Sequence, residues 1–104
     1  MLVQRYDLCA KDGQEDLLCN RLQMLGRWLI RRGGCAKVEI LAQAVEVGQL
    51  TLLEYWNDSE SRHAAGISMD RALIQSIKDV AKTMEQRTYH RTYMAESRSA
   101  EEFT

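Results

Sequence analysis

Residues 49–62 read QLTLLEYWNDSESR, and the change of character inside that run decides the fold. Up to Trp56 the residues suit a strand, with Leu50, Leu52 and Trp56 on one face and Leu53 and Tyr55 on the other. At Asn57 the pattern stops. Asn57 and Glu60 stand at capping-box spacing, so a helix is expected to begin at once, to run through His63 and Ala65, and to end near Gly66. A strand apolar on both faces that runs into a capped helix belongs to a layered domain of sheet and helices.

Upstream, Cys35 to Ala42 places Val38, Ile40 and Ala42 on one face, and the polar stretch around Glu46-Val47-Gly48 joins it to Gln49–Trp56 as an antiparallel pair. Before it, Leu18, Leu22, Leu25 and Leu29, with Trp28 beside them, fall on one helical face. Asp12, with Glu15 three positions on, is expected to cap that helix, and Gly33-Gly34 to stop it. Leu2 to Leu8 alternates and reads as the first strand. Downstream, Ser68 or Asp70 starts a helix with Leu73, Ile77, Val80 and Met84 on one face, and Arg87 to Tyr93 is the last strand.

The order β-α-β-β-α-β is the α+β, ferredoxin-like arrangement: a four-stranded antiparallel sheet with its helices on one face. The second face is left open. The third strand offers it either Leu53 and Tyr55 or Leu50, Leu52 and Trp56, and an exposed apolar sheet face is simplest covered by a second copy about a two-fold axis. A homodimer through the sheet face is therefore expected.

The 104 residues fit one domain, over 1–94, with a polar acidic tail at 95–104 that frays unless Phe103 docks. A net charge of −1 with interleaved signs offers no basic face, which argues against nucleic acid. No apolar run approaches a membrane span and no leader is evident, so no membrane is expected and a cytoplasmic location is the default. Cys9, Cys19 and Cys35 lack paired metal spacing and read as reduced thiols packed as small apolar groups. His63 and His90 lack the spacing of a metal pair, so no metal is expected.

Glu54 to Ser61, with Trp56 at a strand end before a short polar turn and an acid-capped helix, resembles the antibiotic biosynthesis monooxygenase family, as does Gly34-Cys35 leading into the second strand. The resemblance covers roughly residues 2–94. It implies a dimeric α+β barrel, with two sheets packed face to face and a pocket between the sheet and helices of each subunit. Some members oxidise polycyclic phenols with O2 and no cofactor, and others degrade haem. The haem-degrading pattern is disfavoured, because the first strand carries Gln4 and Arg5 rather than Asn, and the expected Trp and His positions fall near Ala65 and Gln75.

The leading expectation is a cofactor-independent monooxygenase-like enzyme that oxidises a reduced aromatic or quinol-type compound with O2. The alternative is a non-catalytic small-ligand-binding or regulatory dimer on the same fold. Such an enzyme needs a proton acceptor, donors for the developing oxyanion and a pocket that excludes water. His63 and His90 are the candidate bases, as imidazoles that titrate near neutrality. Trp56 could stack on a flat substrate, Asn57 could donate to its oxygen, and Tyr89 and Arg91, on one strand face with Tyr93, could steady an anion. Each also has a plain structural reading: core for Trp56, helix cap for Asn57, a half-exposed helix position for His63, a structural place on the last strand for His90, and interface pairing for Tyr89 and Arg91.

Overall fold

A computed structural model describes residues 1–91; the expected domain end at 94, the 95–104 tail, Tyr93 and Phe103 lie outside the described residues. The elements are β1 (Leu2–Ala10), α1 (Glu15–Ile30), β2 (Cys35–Ala42), β3 (Gln49–Trp56), α2 (Ser59–Ile67), α3 (Arg71–Val80) and β4 (Ala81–His90). The strands pair antiparallel in the order β2-β3-β1-β4, the ferredoxin-like arrangement expected from the sequence.

Register settles the question left open by β3. Leu50, Leu52, Glu54 and Trp56 are buried, opposite Leu8, Tyr6, Gln4 and Leu2 of β1. Leu18, Leu22, Leu25 and Leu29 of α1 and Ile77 and Val80 of α3 close the core over them. Trp56 is wholly buried at its centre. The Arg21 guanidinium donates to the Ser76 carbonyl and so ties α1 to α3.

The open face carries Leu53 and Tyr55, as one of the two readings had it, but it is less apolar than expected. Val3, Leu53 and Tyr89 alternate with charge, and two like-charged pairs stand directly opposite each other across β1 and β4: Arg5 with Arg87, and Asp7 with Glu85. Asp7 is partly compensated, accepting from Arg5 Nε at 3.1 Å and from Thr51 Oγ1 at 2.7 Å.

Four local expectations are corrected. Asp12 does not cap α1; Gln14 holds that position without a side-chain hydrogen bond. Asn57 does not cap α2; Asp58 does, accepting from the Ser61 N–H at 2.7 Å, because Asn57 still belongs to the strand exit and donates its own N–H to the Gly34 carbonyl. Met84 is on β4, not α3, and β4 begins at Ala81 rather than Arg87. The helical periodicity of Leu73, Ile77 and Val80 happens to carry through to 84, while pairing with β1 takes that residue into the sheet. Of the two starts open to α3, Asp70 is the one used, accepting from Ala72 and Leu73. Cys35 is buried and Cys9 and Cys19 are half-buried, all as free thiols.

Gly34 explains the Gly-Cys step. Its φ is +91°, a left-handed value that side chains resist, and a Cβ there would overlap the Ser61 side chain at the start of α2. Gly34→Ala is expected to cost about 2 kcal/mol, from backbone strain and overpacking together. Chemical denaturation would measure it, and the companion Gly33→Ala, with open space at its Cβ, should cost less.

Candidate functional site

On the buried face of the sheet, one row is not apolar. Glu54 lies on a central strand, is only 3% exposed, and stands beside Gln4 on β1 and Val38 on β2. Its Oε1 accepts the indole N–H of Trp56 at 2.9 Å. Burial pushes the Glu54 carboxyl above its ordinary value, against the opposing pull of the Trp56 hydrogen bond and the Arg62 charge.

A cavity of about 400 Å³ opens in front of this row, between the sheet and the helices. Leu8, Leu52 and Met84 of the sheet and Leu22, Leu25, Ile74 and Ile77 of the helices give it apolar walls. Its polar groups are Tyr6, Glu54, Arg62 and, from α3, Lys78. The volume and this ratio of apolar wall to polar group fit a small-ligand site.

Arg62 reaches in from α2. Its Nη2 donates to the Tyr6 hydroxyl at 3.2 Å, while its Nε is buried with no partner. Gly66, one turn on, leaves room for the guanidinium: a Cβ at that position would stand 3.1 Å from Arg62 Nη1. Arg62 and Glu54 face the same cavity without forming an ion pair. The Tyr6 phenol is pushed up, mainly by burial and then by Glu54, so it stays protonated and able to donate. A buried carboxylate, a cation with a free donor and a phenol thus converge on one apolar chamber.

None of the six residues singled out from the sequence lines this cavity. Trp56 is nearest in effect, since it holds the Glu54 carboxylate from within the core. His63 is exposed on α2 and Asn57 is exposed at the strand exit. His90 ends β4 opposite Leu2, on the helix side of the sheet but exposed. Tyr89 faces the open side beside Val3, and Arg91 follows the strand, its backbone N–H donating to the Met1 carbonyl. Glu54 does carry a sequence signal: a lone acid in phase with Leu50, Leu52 and Trp56. Arg62, on a short helix with no strong pattern, carries none.

No family model matches the sequence, and no curated protein is significantly similar to it. The structure does match solved ones. A Deinococcus radiodurans protein provisionally named an antibiotic biosynthesis monooxygenase aligns with a TM-score of 0.83 at 14% identity, over 95% of this chain and 100% of that one. A Nitrosomonas europaea protein of the same provisional name gives 0.79 at 18% identity, over 89% and 100%. A variant of SnoaB, a cofactor-independent oxygenase from Streptomyces nogalater, gives 0.83 at 9% identity, over 92% and 97%. The fold is that of the antibiotic biosynthesis monooxygenases. At these identities the likeness to the monooxygenases is one of backbone, and fold alone does not carry chemistry. No helix among the described residues is long and apolar enough to cross a membrane.

Proposed function

We propose that the protein is a cofactor-independent monooxygenase-like enzyme whose working site is the Glu54–Arg62–Tyr6 cavity. The observation that carries this reading is a carboxylate buried in an apolar chamber beside a cation with an unused donor. That is the equipment for removing a proton from a weakly acidic substrate. In its ionised form Glu54 takes the proton from a phenol or an activated C–H. The Tyr6 hydroxyl, which accepts from Arg62 Nη2, donates to the oxygen on which charge collects. The electron-rich substrate then gives one electron to O2, the radical pair combines, and loss of water leaves a carbonyl. Overall, a substrate methylene and one O2 become a carbonyl and one water: one oxygen atom enters the product, and the other leaves with both methylene hydrogens. The structural likeness to a cofactor-independent oxygenase supports the same chemistry.

A homodimer through the open sheet face is part of the proposal. The arginine row (Arg5, Arg87) and the acid row (Asp7, Glu85) lie next to each other on that face. A two-fold axis between the rows would set each against its opposite in the second copy. Sedimentation at micromolar concentration is expected to give a dimer that weakens with salt, and a monomer would sink this part.

The test of the activity is oxygen uptake by the metal-free protein with anthrones, dihydroxynaphthalenes and hydroquinones, corrected for autoxidation. Saturable uptake, unchanged in His63→Ala and His90→Ala, is the expected result. No uptake across the panel would shift the reading to the ligand-binding alternative. Loss of uptake in either histidine variant would return the site to those residues.

A further inference from the structure

The cavity has an unequal charge balance that narrows what it can hold. Four of its lining residues can carry charge: Tyr6, Glu54, Arg62 and Lys78. Glu54 is the lone acid among them, and among the described residues neither Arg62 nor Lys78 forms an ion pair. Lys78, exposed on α3, stands at the mouth. Deeper in, Arg62 spends Nη2 on Tyr6 and has Nε sealed from solvent, so Nη1, beside the open Gly66 position, is the donor left within a ligand's reach. A half-buried guanidinium whose one side-chain hydrogen bond goes to a neutral phenol favours an anion over a neutral oxygen. The remaining walls are apolar and lie between the sheet and the helix layer, which suits the apolar body of a ring.

We propose that the cavity takes aromatic acids, with the ligand carboxylate on Arg62 Nη1 and near Lys78 and the ring among Leu8, Leu22, Leu52 and Met84. The inference rests on the cavity being the working site and narrows its substrate class. The carboxylate completes the donor that the fold leaves open. It also sets the ring with one end toward Arg62, so that a phenol or methylene on it can face Glu54. A neutral polycycle of the same size would fill the cavity but leave Arg62 Nη1 without an anionic acceptor.

The test is anaerobic titration calorimetry with a matched pair of probes, 1-hydroxy-2-naphthoate and 1-naphthol. The wild type is expected to bind the acid roughly tenfold or more tightly, as for a charge-assisted hydrogen bond from a desolvated cation. Arg62→Gln should abolish that preference, and a far-ultraviolet circular dichroism spectrum matching the wild type would report that the variant is folded. Lys78→Gln should lose only a few-fold of the acid affinity, roughly the effect of a rim charge, and that loss should vanish at high salt. Equal affinity of the wild type for both probes, failure to bind either, or a preference that survives Arg62→Gln would each overturn the proposal. Binding needs no turnover, so the two readings fail separately. Absent oxygen uptake with the acid preference intact sinks the oxygenase reading alone. Uptake with neutral phenols and no acid preference sinks this one alone.

Discussion

Glu54→Gln is expected to abolish oxygen uptake while raising stability at neutral pH. Losing a positioned base typically costs about 10²–10⁴-fold in rate, and the amide keeps the volume and the acceptor for the Trp56 indole, so KM should move little. The pH dependence separates this from a structural lesion. Burial raises the Glu54 carboxyl above its ordinary 4.5. A raised acid favours the folded state in its protonated form, so its contribution is fully present below pH 4.5 and is lost as pH climbs through the raised value. Wild-type stability should therefore fall over that window relative to Glu54→Gln. The wild-type rate should rise over the same window, because the base works only when ionised. Thermal melts and uptake rates across pH would show the two curves crossing in opposite directions. A rate profile flat through that window, or an active Glu54→Gln, would remove Glu54 from the chemistry. Asp58 does not confuse the result, since its carboxyl is lowered by the Ser61 hydrogen bonds and its effect appears on acidification below 3.8.

Trp56→Ala is expected to be the most damaging change in the core. The indole is wholly buried, and an aromatic-to-alanine truncation in such a place costs about 3–5 kcal/mol. That is a large part of the roughly 5–15 kcal/mol that holds a domain of this size. The truncation also strips Glu54 of its only hydrogen-bond donor among the described residues, which leaves a buried carboxyl unpartnered. Trp56→Phe separates the two effects. It keeps most of the packing and removes the N–H that pulls the Glu54 carboxyl down, so the acid limb of the rate profile should move to higher pH. Urea unfolding measures the first effect and the pH profile the second. An unshifted limb in Trp56→Phe would mean that the indole only packs.

The sheet was legible because its strands announce themselves by period and by the sharp switch at Asn57; the four-strand order and the long α1 follow from that pattern. What periodicity could not show is where a helix ends and a strand begins without a breaker between them. Val80 passes directly into Ala81 with no glycine or proline, so Met84 keeps helical phase with Leu73, Ile77 and Val80 while belonging to β4. Caps were misassigned by short distances for a related reason: Asp12, Asn57 and Asp58 all have the chemistry of a cap, and backbone path decides among them. The site was harder. Histidines draw notice because they titrate near neutrality, yet His63 and His90 are both exposed. The cavity is instead lined by Glu54 and Arg62, residues usually found on surfaces, and only the folded chain supplies the burial that raises the Glu54 carboxyl.

Gly66 gives this arrangement an evolutionary handle. Within a helix, alanine is favoured over glycine by up to about 1 kcal/mol, so a search for heat tolerance alone would fill position 66. The methyl gained would stand 3.1 Å from Arg62 Nη1 and push the guanidinium off its present place by a few tenths of an ångström. Populations of variants selected for robustness and for ligand capture should therefore part company at this one codon.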